Sequence, residues 1–123
     1  MPSKRYQDYV IRDGRLIGDF ENMYRNSDEV PWHQDRTVHA IFSDLTVVLL
    51  SRLRPQSLLD VGCGLGYMAN RLKQEIESLN RVVGLEVSET AVAKARSMFP
   101  NIEFHSGSVV GSNTHTHTHT AAR

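Results

Sequence analysis

The run Leu58-Leu59-Asp60-Val61-Gly62-Cys63-Gly64-Leu65-Gly66 constrains this chain more than any other feature. A short apolar segment ends in an acid and breaks into alternating glycines. A helical period begins at once, with apolar residues at Leu65, Met68, Ala69, Leu72, Ile76 and Leu79. Strand, glycine turn and helix in that order point the free N–H groups and positive dipole end of a helix at a nucleotide-like ligand. Glycine lets the turn be tight because it reaches positive φ without a Cβ clash. A second strand, Arg81–Glu86, also ends in an acid. Glu86 falls some two dozen positions after Gly62, an offset that suits hydrogen bonds from ribose hydroxyls. The bland alternative is a βαβ unit whose glycines only make a turn.

The rest of the βαβαβ pattern follows from punctuation. The first strand is Ser57 to Val61, between Pro55 and the glycines, and its helix runs from Leu65 to Leu79. Ser88 is an N-cap for a helix from Glu89 to Met98 with Ala91, Val92, Ala95 and Phe99 on its inner face. Pro100 marks its exit and Ile102 to His105 reads as a third strand. Right-handed crossovers make such strands parallel, in the local order 3-2-1. Upstream, Asp13-Gly14 between short apolar runs signals a hairpin. Phe20, Met23 and Tyr24 share a helical face after Asp19, and Pro31 is expected to stop that helix. Residues 34–53 read as one long helix with a wide stripe of Val38, Ile41, Phe42, Leu45, Val48, Leu49 and Leu53, expected to pack on the sheet.

Composition narrows the class. Lysine plus arginine balance aspartate plus glutamate at 14 each, so nothing in the charge favours nucleic acid or a membrane surface. Cys63 is the one cysteine, which excludes an internal disulfide and makes a reducing, cytoplasmic setting the default. Residues 1–10 are polar and mixed in charge, unlike a signal peptide. The apolar run Leu45 to Leu50 is far short of the ~20 residues that span a bilayer.

The glycine run, followed by Gly84-Leu85-Glu86-Val87-Ser88 and then Ala91 and Ala95, resembles the class I S-adenosylmethionine-dependent methyltransferases. The spacing is Gly-x-Gly-x-Gly, not the Gly-x-Gly-x-x-Gly of nicotinamide binders. A nicotinamide dehydrogenase is the runner-up enzyme class. The resemblance covers residues 57–109 and says nothing of the methyl acceptor. It implies an α/β fold, a three-layer Rossmann-like parallel sheet. That sheet is expected to be incomplete, with the first three strands of a seven-stranded domain and an N-terminal helical cap. The implied division is a cap over 1–33, an S-adenosylmethionine-binding half-domain over 34–110 and a low-complexity, disordered tail over 111–123.

The resemblance also implies roles. Gly62, Gly64 and Gly66, with Cys63 between them, form the cofactor loop beside the methionine part. Asp60 receives the cofactor's ammonium, directly or through water. Glu86 accepts bonds from both ribose hydroxyls, and Val87 packs on the adenine. The family often carries Gly-Asp after the third strand, and the acid binds the adenine amino group. Here it is Gly107-Ser108, so a charge-assisted bond worth ~1 kcal/mol or more is replaced by a neutral one. N-terminal segments of related enzymes lie over the cofactor, which makes Tyr24, Trp32 and His33 candidates to line the site. Trp32 equally suits an anchor for that segment, and His33 a solvated loop residue. Cys63 reads as a small buried filler, since no histidine or lysine flanks it to lower its pKa.

The expected activity is methyl transfer to an oxygen or nitrogen of a small molecule, such as a sugar or natural-product intermediate. Catalysis would rest on positioning. The Pro31-Trp32-His33 stretch is similar to small-molecule methyltransferases of bacterial polysaccharide or nodulation-factor pathways. The family's acceptor-facing residues follow its fourth strand, so no catalytic residue is named. The competing expectation is a cofactor-binding or partner-pairing module without activity, including an inactive fragment. The Thr-His repeat with His115, His117 and His119 fits an engineered tag, a frameshifted dinucleotide repeat or a metal-binding segment. With no carboxylate or cysteine beside those histidines, no metal site is assigned. A first strand without a neighbour would expose a sheet edge and favour self-association.

Overall fold

The computed structural model describes residues 4–109. The N-terminal hairpin forms as expected. A single helical turn, α1 (Gln7–Val10), runs into β1 (Ile11–Arg12), which pairs antiparallel with β2 (Arg15–Leu16). Asp13 and Gly14 both take positive φ, +51° and +73°, the turn that matches the twist of paired strands.

Helix α2 (Phe20–Asn26) buries Met23 and Tyr24. It ends at Ser27, ahead of Pro31, so proline is not its terminator. Pro31 instead opens a single 3-10 turn, Pro31–His33, where its fixed φ suits the first position. The long helix expected over 34–53 is two helices, α3 (Gln34–Thr37) and α4 (Ile41–Leu53), with Ala40 extended between them. Side chains hold the break open. Ser43 Oγ donates to the Thr37 carbonyl at 2.8 Å and Arg71 Nη1 to the Val38 carbonyl at 2.5 Å. Both carbonyls thus find donors outside a helical ladder.

The central sheet is parallel, in the order β3 (Ser57–Val61), β4 (Arg81–Glu86), β5 (Glu103–Ser106). Asp60 pairs with Gly84 and Glu86 with Ser106, so the acids lie at one end of the sheet. The crossovers are α5 (Tyr67–Glu75) and α6 (Glu89–Met98). They close a core of Ala69, Leu72, Ile76, Val92, Ala95 and Phe104. Helix α5 is shorter than its apolar period. Ile76 is already extended and Leu79 N–H closes a turn on the Ile76 carbonyl, yet both stay buried. Strand β5 begins one residue later than expected because Ile102 N–H closes a turn on Phe99. Ser88 caps α6 as expected, its hydroxyl accepting from Ala91 N–H at 3.1 Å.

The α4 stripe does not pack as expected. Val47 and Leu50 reach the core, while Ile41, Phe42, Leu45, Val48, Leu49 and Leu53 are each more than half exposed. Helix α4 meets α5 along one narrow contact, and the stripe is wider than that contact. Among the described residues β3 is an edge strand, and no helix is long and apolar enough to cross a membrane. Val110 and everything after it, including the Thr-His repeat, lie outside the described residues.

Candidate functional site

Where β3 and β4 end, a cavity of about 600 Å³ opens beneath the N-terminal segment. Its size falls within the ~300–1,000 Å³ usual for small-molecule sites. Of the residues singled out from sequence, Tyr24, Trp32, Asp60, Gly62, Cys63, Glu86, Val87 and Ser108 line it together. Gly64, Gly66 and His33 do not. The two glycines lie behind the lining, where they are needed for close packing. A Cβ on Gly64 would strike the Gln34 amide and sit 2.8 Å from the Tyr24 hydroxyl. One on Gly66 would sit 2.5 Å from the Phe104 ring. Both have φ in the left-handed region, at +56° and +86°. His33 points to Arg36, with 2.8 Å between ring nitrogen and guanidinium.

The glycine loop does not present its amides to the cavity. Gly62 and Cys63 N–H donate to the Leu85 carbonyl at 2.7 and 3.1 Å, and Gly66 N–H donates to the Cys63 carbonyl at 3.0 Å. Gly64 N–H donates to Glu86 Oε1 at 3.3 Å and Leu65 N–H to Gln34 Oε1 at 2.9 Å. Every amide from Gly62 to Gly66 is therefore spent inside the protein. The sequence points the free N–H groups of the helix that follows toward the ligand; the amides of the loop itself turn inward and leave carboxylates at the cavity.

Those carboxylates set the electrostatics. Glu86 is buried and accepts from Gly64 N–H and, at 2.8 Å, from Ser88 N–H. Asp60 has no such support. Burial, then the neighbouring charge of Glu86, pushes its pKa up to about 6, and no hydrogen bond opposes that shift. Burial pushes the Cys63 thiol up to about 12, with Asp60 and Glu86 adding to it, so Cys63 is a filler and no nucleophile. Tyr24 is also pushed up to about 12, chiefly by burial. Among the described residues no lysine, arginine or histidine lines the cavity. Two carboxylates without a cation call for a positively charged ligand.

The N-terminal segment is tied down from both sides. Glu21 on α2 accepts from Ser88 Oγ at 2.6 Å and from Thr90 N–H and Oγ1, each at 2.9 Å. The Ser88 bond first of all holds the Glu21 carboxyl below its ordinary range. Lys94 Nζ donates to the Tyr24 carbonyl at 2.6 Å. Trp32 and His33 follow each other in left-handed conformations, φ +52° and +50°. That geometry costs roughly 1–3 kcal/mol per residue and persists only where the surroundings impose it. Trp32 stands at the rim between Tyr6 and Phe20, with ring centroids 5.4 and 6.3 Å away. It thus anchors the segment and lines the cavity, the two roles open from sequence. Sequence reasoning missed Gln34, Phe20, Phe42 and Ser43 in the lining, because only the folding of the N-terminal segment, with its turn at Trp32 and His33 and its break before α4, brings them there.

An acid-tipped parallel sheet with a glycine turn between strand and helix defines a Rossmann-like half-site for a nucleoside-bearing cofactor. A family model described as "Methyltransferase domain" matches residues 58–121. The chain belongs to that family, the class I S-adenosylmethionine-dependent methyltransferases. DesVI of Streptomyces venezuelae is a solved structure with 28% identity and a TM-score of 0.50 over 63% of this chain and 32% of that one. The plantazolicin methyltransferase BamL, in complex with a triazolic desmethylPZN analog and SAH, has 27% identity and a TM-score of 0.50 over 64% of this chain and 32% of that one. The plantazolicin methyltransferase BpumL, with a pentazolic analog and SAH, shares the fold at 17% identity and a TM-score of 0.55, over 79% and 41%. The chain thus spans about a third of the length of DesVI and BamL. No curated protein sequence matches it.

Proposed function

We propose that this chain binds S-adenosylmethionine and supplies the cofactor-binding part of a methyl transfer to a small molecule. The observation that carries this reading is Asp60, a half-buried carboxylate facing the cavity beside Glu86, with no donor among the described residues. S-adenosylmethionine suits that charge: it is cationic at its ammonium and its sulfonium, and it supplies an electrophilic methyl. A pyrophosphate cofactor would meet two carboxylates and a loop whose amides are already spent. Asp60 would receive the ammonium, and Glu86, held in place by two backbone amides, would accept the ribose hydroxyls. Val87, more than half exposed at the rim, would cover the adenine, with Ser108 beside it. Tyr24 and Trp32 would close the site and exclude water. BamL was solved with a triazolic desmethylPZN analog, which supports a small-molecule acceptor, as do the apolar Phe20, Trp32 and Phe42 at the cavity. A cytoplasmic setting goes with the free thiol of Cys63.

A second reading, a binding module without methyl transfer, is favoured by one observation. Among the described residues the lining holds no histidine or lysine to act as a base. The exposed α4 stripe and, among the described residues, the β3 edge also support self-association. Calorimetry with S-adenosylhomocysteine tests the cofactor. Binding by the wild-type chain that Glu86→Ala abolishes is the expected result. Equal binding by the variant, or binding of NADH without S-adenosylhomocysteine, overturns it. Methyl transfer to added acceptors separates enzyme from module.

A further inference from the structure

Gln34 joins three parts of the site that no other side chain among the described residues connects. Its Oε1 accepts from Leu65 N–H at 2.9 Å, within the glycine loop. Its Nε2 donates to the Pro31 carbonyl at 3.1 Å and to the Tyr24 hydroxyl at 3.0 Å. The orientation of the amide is forced. A backbone N–H only donates and a carbonyl only accepts, so Oε1 must face Leu65 and Nε2 must face Pro31. The second Nε2 proton then goes to Tyr24, whose oxygen accepts it. No acceptor among the described residues takes the Tyr24 O–H in return. That proton is left for whatever occupies the cavity, which Tyr24 and Gln34 both line.

The backbone around Gln34 is shaped for this contact. The consecutive left-handed residues Trp32 and His33 turn the chain so that the next side chain meets the loop. On the loop's side, Gly64 admits the Gln34 amide where any Cβ would collide with it. Leu65 is buried, so without Gln34 its N–H would lose its partner away from water.

We propose that Gln34 is a positioning residue for the cofactor site. It fixes the Gly64-Leu65 peptide, next along the chain from the Gly64 amide that Glu86 holds, and sets the Tyr24 hydroxyl as a donor toward the ligand. Its effect on ligand binding rests on the S-adenosylmethionine reading; its grip on the loop does not. The test therefore has a ligand-free arm. In the full chain without ligand, Gln34→Ala speeds amide hydrogen exchange at Leu65 by about tenfold, the size of one lost hydrogen bond, and leaves Val83 and Phe104 unchanged. Gln34→Glu retains an oxygen toward Leu65 but no donor for Tyr24. It keeps the Leu65 protection and still loses ligand affinity. Both variants bind S-adenosylhomocysteine about tenfold more weakly, and adenosine, which lacks the amino-acid end, within twofold of wild type. Unchanged Leu65 exchange in Gln34→Ala overturns the proposal. Parallel loss of both ligands also overturns it, since that reports general loosening. A wild-type chain that binds no S-adenosylhomocysteine refutes the proposed function instead, and Leu65 exchange still decides whether Gln34 holds the loop.

Discussion

Of the helices α4 and α6, α4 is the more apolar and the less buried. Helix α6 carries small residues on its inner face, and Ala91 and Ala95 are both 0% exposed. That lets it lie close against β5 and the glycine loop. Helix α4 carries larger groups, and Ile41 and Leu53 are each 76% exposed. The contrast separates two things that a hydrophobic period runs together. Periodicity says which face of a helix is apolar. Whether that face is covered depends on what the rest of the molecule places against it. Helix α6 lies against β4, β5 and the N-terminal helix α2, whereas helix α4 lies chiefly against α5.

Truncating a side chain on each side should widen this contrast most. Phe104 is 2% exposed at the centre of the core and packs against Gly66 and Gly84. Phe104→Ala should cost about 3–5 kcal/mol, a large share of the stability of any small domain. Leu49→Ala, on the exposed stripe, should change it by no more than about 0.5 kcal/mol. Urea unfolding followed by circular dichroism measures both. Equal losses would mean that α4 is covered in solution.

The covered side has a cost of its own at Asp60. Its pKa of about 6 in the folded chain exceeds the ordinary 3.8. Below pH about 4 the carboxyl is protonated in both states and costs nothing. Between about pH 4 and 6 the unfolded chain ionises first, so stability falls as pH rises, and above 6 the loss is complete. For a carboxylate partly open to solvent this amounts to about 1–3 kcal/mol. Asp60→Asn should remove that pH dependence and stabilise the ligand-free chain at pH 7 by the same amount, while weakening S-adenosylhomocysteine binding. Binding a cation must draw Asp60 into its charged form. Wild-type affinity should therefore decline by up to about tenfold per unit as pH falls below 6. Thermal melts and calorimetry across pH check both. A stability profile that rises through this window would refute the environment assigned to Asp60.

Much of this arrangement is legible in the sequence, for identifiable reasons. The order of β3, β4 and β5, the Ser88 cap and the Asp13-Gly14 turn rest on local signals: acid-tipped apolar runs, a capping hydroxyl, a dipeptide able to take positive φ. The break at Val38–Ala40 was not legible, because it depends on Arg71, a residue far along the chain. The inward turn of the loop amides was equally hidden. The glycine spacing is the same whether N–H groups face a phosphate or the Leu85 carbonyl. Gln34 and Glu21 carry no motif at all; both matter because the fold brings them to Leu65 and to Ser88 and Thr90.

The smallest effect on folding falls on the open side, and there the readout is association. Leu45→Lys with Leu49→Lys places two charges on a stripe where both leucines are more than half exposed. The folded monomer should lose no more than about 0.5 kcal/mol, since neither position gives up a buried contact. Sedimentation velocity over a range of concentrations should show wild-type chains associating and the double variant remaining monomeric. The β3 edge is unchanged in that variant. Association that persists with the lysines in place would move the contact from the α4 stripe to backbone pairing along β3. A proline at Leu59, at the middle of that edge, would then be the variant to block it.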